Sequence, residues 1–292
     1  MRETDLLTHI YEANPTLPGS VTIPPGDDMG AVTLDGRTVL VTTDQLADGV
    51  HVDLKKMPIE KVGRKAMTRS LSDVAAMAAR PLGAVAAVCL PRGFDEDRAL
   101  ALFEAMRQTG EQYECPLIGG DISMWDSPMI ATTTIFAEPA GIDPVLRTGA
   151  RVGDAICVTG KLGASFKTGH HFEFEPRIAV ARELAGNPDT RPHSMVDLSD
   201  GLGRDLGHLC DHAEVNLDAL PLRVPSISWQ SAVGDGEDYE LLFTMPADSA
   251  PASVAGVRIT RIGTVKSRGG LVGVTQDGER VSLQGMGWEY GR

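Results

Sequence analysis

The pattern of apolar and polar positions in the first half of the chain predicts strands that alternate with helices. Three stretches rich in β-branched residues predict strands: TVLVTTD (38–44), GAVAAVCL (83–90) and PMIATTTIFAEP (128–139). Apolar residues recur every three or four positions in a segment that opens at Pro58 and again within 95–114, which predicts two helices. This order indicates an α/β or α+β fold with mixed sheets.

The second half repeats the pattern after a connector. The stretch EPAGIDPVLRTGARVGD (138–154) is rich in Pro and Gly and predicts a linker. Behind it, DAICVTG, EDYELLFTMP and VRITRIGTV predict strands, and EPRIAVARELAG predicts a helix. Because 292 residues exceed one typical domain, we predict two α/β domains, 1–140 and 141–292.

Composition and charge exclude several classes of partner. Lysine and arginine number 27 against 40 acidic residues, a formal net charge of −13. This balance argues against a nucleic-acid partner, because binding a phosphate backbone requires clustered basic residues. The sequence has no charge-free apolar run of membrane-spanning length, and its four cysteines form no C-x-x-C pair. We therefore expect a cytoplasmic protein that binds neither nucleic acid nor membranes.

Acidic residues recur at the ends of the predicted strands. They occur in GDD, TTDQLADGVH, LIGGD and DLSDGL, whereas Asp73 lies within the first long helix; the residues are Asp27, Asp28, Asp44, Asp48, Asp121, Asp197 and Asp200. For any one stretch alone, turn and helix-cap chemistry is the simpler explanation, because Asp and Ser bond to nearby backbone donors. Asp73 fits it least, since its helical face is largely apolar and an unpaired charge there is costly.

The stretch SMVDLSDGLGRDLGHL (194–209) reads as a strand, a glycine turn and a helix, the order of a nucleotide-binding turn. Its acidic residues, Asp197 and Asp200, would repel a phosphate unless a cation lies between them. Oxygen ligands without His or Cys clusters suit Mg²⁺, which also bridges phosphate oxygens. We therefore predict that the acidic turns form one magnesium and nucleotide site.

Other motifs are weak. GLGRDLG has one residue too many for G-x-G-x-x-G, and neither a G-x-x-x-x-G-K-[ST] loop nor a protein-kinase H-R-D loop occurs. His170 and His171 stand in a polar stretch, and we predict that both are solvated rather than ligands. For His51, a capping or surface role and a functional role remain equally open.

Taken in order, GDD, TTDQLADGVH, LSDVAAM, LIGGD, RTGARVGD, DLSDGLGRDLGHL, GEDYELLF and the terminal GWEY resemble the thiamine-monophosphate kinase family. That family belongs to the superfamily of aminoimidazole ribonucleotide synthetase, selenophosphate synthetase and the hydrogenase-maturation dehydratase. The resemblance spans nearly the whole chain. Together, GEDYEL, DLSDGL and TTD…DGVH are more specific to the kinase branch than generic acidic turns are.

The resemblance implies a two-domain enzyme, dimeric through its N-terminal sheets, that transfers the γ-phosphoryl group of ATP to thiamine monophosphate. The implied magnesium ligands are Asp28, Thr42, Thr43, Asp44, Asp73, Asp121, Asp197 and Asp200. The residues implied to contact ATP are Gly120, Asp121, Arg147 and Ser199, and those implied to line the thiamine monophosphate pocket are His51, Glu237 and Trp288. No residue is implied to act as a strong base.

Simpler roles exist for three of these residues, since Arg147 could form a linker salt bridge, Trp288 a packing anchor and Glu237 a surface carboxylate. The chain departs from the family pattern at Ser70, at Ala78, in the GGDIS turn and in a shortened segment before Pro176. Two other functions stay open: another ATP-dependent reaction on a phosphorylated heterocycle, and nucleotide binding without turnover.

Overall fold

The computed structural model describes residues 3–12 and 16–289, which form two mixed β-sheets with helices packed on them. Helices lie at α1 (Glu3–Glu12), α2 (Ile59–Ala76), α3 (Glu96–Gln112), α4 (Ser165–Thr168), α5 (His170–Glu173), α6 (Ile178–Gly186), α7 (Leu202–Leu209) and α8 (Trp229–Gly234), with a 3-10 turn at Leu217–Ala219. Within the described ranges, none of these helices has the length and apolar character needed to cross a membrane.

The first sheet has six strands in the order β1-β2-β3-β6-β4-β5. Their bounds are β1 (Val21–Ile23), β2 (Gly30–Leu34), β3 (Arg37–Ala47), β4 (Arg80–Pro91), β5 (Leu117–Trp125) and β6 (Ile130–Glu138). β4 and β5 are parallel, and the other neighbours are antiparallel. Apolar side chains of α2, such as Met67 and Leu71, pack with Leu40 and Ile135 of the sheet in one buried core.

The second sheet has eight strands, ordered β14-β13-β9-β12-β7-β10-β8 with β11 on β12. Their bounds are β7 (Ala155–Thr159), β8 (Ser194–Asp197), β9 (Ala213–Asn216), β10 (Leu241–Met245), β11 (Ser253–Val254), β12 (Val257–Val265), β13 (Leu271–Val274) and β14 (Arg280–Ser282). Two cores cover its central strands: one includes Leu202 and Leu206 of α7, and the other includes Ala181 and Leu184 of α6. Burial on both faces explains why β7, β8 and β10 are fully apolar or buried runs.

Helix α2 joins the two sheets. It contacts β3 and β6 of the first sheet and also α5, α6 and β8 of the second half. Its C-terminus closes as a Schellman motif, in which the amide of Ala79 donates to the carbonyl of Val74 and the amide of Ala78 to that of Ala75. Ala78 therefore adopts a left-handed conformation with φ of 52°, at a position where glycine is usual.

The mixed α/β fold is confirmed, and the predicted elements lie where the sequence pattern placed them, except that the strand predicted over EDYELLFTMP begins only at Leu241. Left-handed backbone at Glu237 and Tyr239 interrupts it before that residue. The strands of the first sheet all end by Glu138 and those of the second begin at Ala155, so the Pro- and Gly-rich stretch connects the two sheets. The domain limits 1–140 and 141–292 stay a prediction.

Candidate active site

Three carboxylates from distant parts of the chain converge in one cluster. Asp28 comes from the turn before β2, Asp73 from the last turns of α2, and Asp197 from the end of β8. One carboxylate oxygen of each lies within 4.8 Å of the others. The structure thus brings together three of the aspartates predicted as metal ligands.

Neighbouring side chains fix the direction of each carboxylate. The hydroxyl of Thr42 donates a hydrogen bond to Asp73 Oδ2, and Ser72 Oγ donates to Asp197 Oδ2 at 2.6 Å. Arg147 makes a forked contact with Asp28, with Nη2 at 2.9 Å from Oδ1 and Nε at 3.2 Å from Oδ2. These hydrogen bonds hold the three carboxylates close together despite their mutual repulsion.

The cluster is electrostatically strained. Burial and the neighbouring charges of Asp44, Asp197 and Asp28 raise the pKa of Asp73 well above its ordinary value. Burial and the charge of Asp28 likewise raise the pKa of Asp197 to about 7. A bound cation relieves both effects, and a purely oxygen donor set matches the preference of Mg²⁺. The residues present therefore fit a magnesium site.

Beside the cluster lies a cleft of about 240 Å³. Its acidic end holds Asp73 and Asp197, and its other side is formed by apolar and aromatic side chains. The lining residues are Asp44, Val50, His51, Arg69, Asp73, Phe166, Asp197, Ser199, Asp200, Asp235, Glu237, Tyr239 and Trp288. The cleft can therefore accommodate a polyanion at one end and a ring system at the other.

Glu237 is held rigidly in this cleft. Lys65 Nζ, on α2 and fully buried, donates to Glu237 Oε2 and also lies 2.8 Å from His171 Nδ1. Burial alone would raise the pKa of Glu237, but His171 and Lys65 outweigh it and lower that pKa to about 2. The backbone of Glu237 is left-handed, with φ of 56°, which local packing must stabilise. Glu237 is thus an ionised, preoriented hydrogen-bond acceptor.

His51 is neutral at physiological pH. Burial, followed by the nearby charge of Arg69, lowers the pKa of His51 to about 4. Its Nδ1 accepts a 3.0 Å hydrogen bond from the amide of Ala47. The proton of the neutral ring is consequently on Nε2, where it can be donated to a ligand.

Ser199, Asp200 and Trp288 line the same cleft, and two backbone hydrogen bonds hold their segments together. The amide of Glu237 donates to Ser199 O at 2.7 Å, and the amide of Trp288 donates to Asp200 O at 2.8 Å. Asp200 pairs with Arg204 at 3.1 Å, and the Trp288 side chain is 54% exposed. Such exposure does not fit a role as a packing anchor, and the side chain lines the cleft.

Comparison with known proteins is consistent with this geometry. Residues 26–137 match the family model described as AIR synthase related protein, N-terminal domain. The thiamine-monophosphate kinase of Rhodopirellula baltica is 32% identical over 97% of this chain and 96% of its own length. The chain belongs to the thiamine-monophosphate kinase family. The family member of Haemophilus influenzae is 32% identical over 85% of this chain and 83% of its own length.

Solved structures agree. The structure of AaThiL complexed with AMPPCP and TMP is 26% identical, covers 99% of this chain and 97% of its own, and has a TM-score of 0.81. The family model covers only residues 26–137, whereas this structural similarity also includes the second sheet.

Not every predicted residue of the kinase site lies at the cluster. The side chain of Thr43 is exposed on the opposite face of β3 from Thr42 and lies 3.0 Å from the hydroxyl of Thr134. Gly120 and Asp121 are exposed on the edge strand β5 and line a different depression. A Cβ at Gly120 would lie 1.9 Å from Ala86 O, so close packing on β4 explains that glycine. The ligand roles of Thr43, Gly120 and Asp121 stay predictions.

The structure does not support the simpler roles of Arg147 as a linker salt bridge and of Glu237 as a surface carboxylate. Arg147 bonds within the acidic cluster rather than only in the linker, and Glu237 is buried rather than on the surface. Contact of Arg147 and Ser199 with ATP stays a prediction. Tyr290, in the terminal GWEY motif, lies outside the described residues.

Sequence reasoning missed Lys65, Arg69, His171 and Phe166. The prediction that His170 and His171 are solvated is wrong, because His171 is buried against Lys65 and His170 is half-buried beside the carbonyl of Asp238. Lys65 and Arg69 could have been found from their spacing, since they lie eight and four positions before Asp73 on one helix. That spacing directs all three toward one side of α2.

Proposed function

We propose that the chain catalyses the Mg²⁺-dependent transfer of the γ-phosphoryl group of ATP to thiamine monophosphate, giving ADP and thiamine diphosphate. The observation that carries the proposal is one cleft whose lining joins Asp73 and Asp197 of the acidic cluster to Glu237, His51 and Trp288. The first group of side chains suits a metal-bound triphosphate, and the second suits a cationic heterocycle.

The donor end would be formed by Asp28, Asp73 and Asp197, with Thr42 and Asp44 beside them. Bound Mg²⁺ supplies charge neutralisation for the phosphate oxygens at this end. Ser72, Thr42 and Arg147 keep the three carboxylates in place, so little reorganisation is needed when ATP enters.

The acceptor end offers one group for each part of thiamine monophosphate. The ionised carboxylate of Glu237 can accept hydrogen bonds from the aminopyrimidine, and His51 Nε2 can donate one. The exposed indole of Trp288 offers its face to the thiazolium cation. Glu237 and His51 are held by Lys65 and by the amide of Ala47 before the substrate arrives, which lowers the entropic cost of binding.

The reaction would proceed by direct in-line transfer. An oxygen of the acceptor phosphate forms a bond to the γ-phosphorus as the bond from that phosphorus to the β–γ bridging oxygen breaks, and ADP leaves. Because the attacking phosphate oxygen is already ionised near neutral pH, no side chain has to act as a strong base. Catalysis then rests on positioning and charge.

We also propose a cytoplasmic homodimer built through the first sheet. Strand β5 exposes the apolar side chains of Ile118, Ile122 and Met124 at the edge of that sheet, and Trp125 at its end, which favours burial against a second copy. The domain limits 1–140 and 141–292 fit this proposal, since the first unit would carry the dimer contact and most of the acidic ligands.

The test is substrate-dependent release of ADP from purified protein with MgATP. We expect release that requires thiamine monophosphate, with stoichiometric thiamine diphosphate as product. Release with a different phosphorylated heterocycle, but not with thiamine monophosphate, would overturn the substrate assignment. ATP binding without turnover would identify a non-catalytic nucleotide-binding protein instead.

A further inference from the structure

The acceptor in the proposed reaction carries its own phosphate, and that phosphate must lie between the heterocycle and the γ-phosphoryl group. At this position two polyanions meet in a cleft lined by six carboxylates: Asp44, Asp73, Asp197, Asp200, Asp235 and Glu237. Bound Mg²⁺ would neutralise phosphate charge at the acidic end, and a cationic side chain would add to that neutralisation where the two phosphates meet. Of the described residues that line the cleft, Arg69 is the single Arg or Lys.

Arg69 stands between the two ends of the cleft. It lies one helical turn before Asp73, and its Nη2 is 3.4 Å from Asp44 Oδ1, at the acidic end. Its charge also acts on His51 and Glu237, lowering the pKa of both groups at the acceptor end. The guanidinium is thus close to the groups proposed for the metal and to those proposed for the heterocycle.

The other arginines of the site have different tasks. Arg147 is forked onto Asp28, and Arg204 contacts Asp200 and Glu289. Neither lines the cleft. Lys65 has its ammonium fully buried beneath Glu237. Arg69 therefore differs from these residues in presenting a cation at the cleft wall.

We propose that Arg69 binds the phosphate group of the acceptor substrate, an assignment that rests on the proposed kinase function. A guanidinium can hold two phosphate oxygens in a forked contact, which leaves the third oxygen as the attacking atom. Arg69 Nη1 is anchored by a 2.8 Å hydrogen bond to Gln45 O, and the side chain is only 12% exposed. The fork is therefore preoriented, and Arg69 selects phosphorylated over unphosphorylated thiamine.

The test compares the affinities of thiamine monophosphate and thiamine by calorimetry. We expect the unmodified protein to bind thiamine monophosphate more tightly. In Arg69→Gln, the dissociation constant of thiamine monophosphate should rise about 10- to 100-fold and that of thiamine by less than about 3-fold. The KM for thiamine monophosphate should rise in parallel, with the KM for ATP nearly constant. Arg69→Lys should fall between the two, because it keeps the charge and loses the fork.

Arg92→Gln is the matched control, since Arg92 is an exposed residue that pairs with Asp126 and is not among the residues lining the cleft. It makes the same change in net charge and should alter neither affinity. If Arg69→Gln does not fold, Arg69→Lys decides the question by itself. Equal weakening of both ligands, or unchanged affinity for thiamine monophosphate, would overturn the role of Arg69 while leaving the kinase proposal intact. Absence of thiamine monophosphate turnover in the unmodified protein would overturn both.

Discussion

Ser72 on α2 donates a 2.6 Å hydrogen bond to Asp197 at the end of β8, although the two residues are 125 positions apart in the chain. Both side chains are buried. The bond joins the helix that packs on the first sheet to the edge strand β8 of the second sheet, directly at the acidic cluster. It also opposes the rise in the pKa of Asp197 that burial produces.

Ser72→Ala should weaken magnesium binding. Loss of the donor leaves a buried carboxylate oxygen without that partner, which costs about 1–3 kcal/mol and disfavours the ionised form that binds metal. We expect a several-fold lower Mg²⁺ affinity, measured from the Mg²⁺ dependence of turnover. Ser70→Ala is the matched control, because Ser70 is equally buried but donates to Thr133 O. It should change the melting temperature and not the Mg²⁺ dependence.

Asp73→Asn should lower turnover without lowering the stability of the metal-free protein. The amide keeps the shape of the side chain and removes a charge that burial and neighbouring carboxylates oppose. Turnover should fall by about 100-fold or more, and the metal-free melting temperature should stay level or rise. A variant with near-normal turnover would show that Asp73 is not a metal ligand. Asp53→Asn, at a surface residue that pairs with Lys56 and accepts a hydrogen bond from the amide of Lys55, should leave turnover unchanged.

The stabilisation by Mg²⁺ should grow with pH. Burial and neighbouring charge raise the pKa of Asp27 to about 6 and that of Asp197 to about 7. Because these folded-state values exceed those of an unfolded chain, the stability that these two carboxyls contribute to the metal-free protein is lost as pH rises from about 4 through 7. Mg²⁺ binds the ionised form, so it competes with protons at pH 5.5 and much less at pH 8.

The measurement is the difference in melting temperature with and without Mg²⁺, at matched ionic strength. Histidines with lowered pKa values, such as His51, affect both samples alike and cancel in this difference. A larger Mg²⁺ effect at pH 5.5 than at pH 8 would contradict the carboxylate assignment.

Lys65 and Glu237 should behave as a coupled pair. Lys65→Met leaves the Glu237 carboxylate buried beside His171 without its main counter-charge, which should cost about 3–5 kcal/mol. Glu237→Gln should be similarly costly, since it leaves a buried ammonium. In the double variant the loss should be clearly smaller than the sum, and a double-mutant cycle from denaturant unfolding measures the difference. Additive losses would show that the pair is not a coupled unit.

Substitutions of Ala78 test the left-handed backbone conformation at the end of α2. Ala78→Gly removes about 1–2 kcal/mol of left-handed strain but loses a buried methyl group and frees the unfolded chain, so its stability should change by less than about 1 kcal/mol. Ala78→Val should destabilise the protein by more than about 2 kcal/mol, because a β-branched residue tolerates this conformation poorly. Chemical denaturation of both variants provides the measurement. A harmless Ala78→Val would contradict the observed geometry.

The sequence pattern was sufficient for the elements and for part of the site. Asp197 could be predicted because an acidic residue at a strand end is visible as a motif, and Asp28 because it follows a glycine in an acidic turn. Asp73 could be predicted because a carboxylate inside a largely buried helix needs a partner. The pairing of Lys65 with Glu237 could not, since 172 positions separate them and no local spacing records the contact.

His171 shows a second limit. Polar residues dominate the stretch around it, but its neighbours Phe172 and Phe174 anchor the short α5 in the interior and bury the histidine with them. Thr43 illustrates a third limit, because the TTD motif alone does not show which side chains face the acidic cluster. Side chains alternate along β3, so Thr42 and Asp44 lie on one face and Thr43 on the other.

Because Lys65, Arg69, Ser72 and Asp73 all belong to one continuous helix, the two ends of the cleft have a fixed separation. Eight residues of α-helix place Lys65 and Asp73 about 12 Å apart along the axis. Inserting or deleting a single residue between them would rotate one end by about 100° relative to the other, and both would be lost together. The wall to which Phe166 belongs, with His171 buried behind it, is instead made of two single-turn helices, α4 and α5. Change of substrate in evolution would therefore accumulate in that wall, while α2 tolerates substitutions but no change in length.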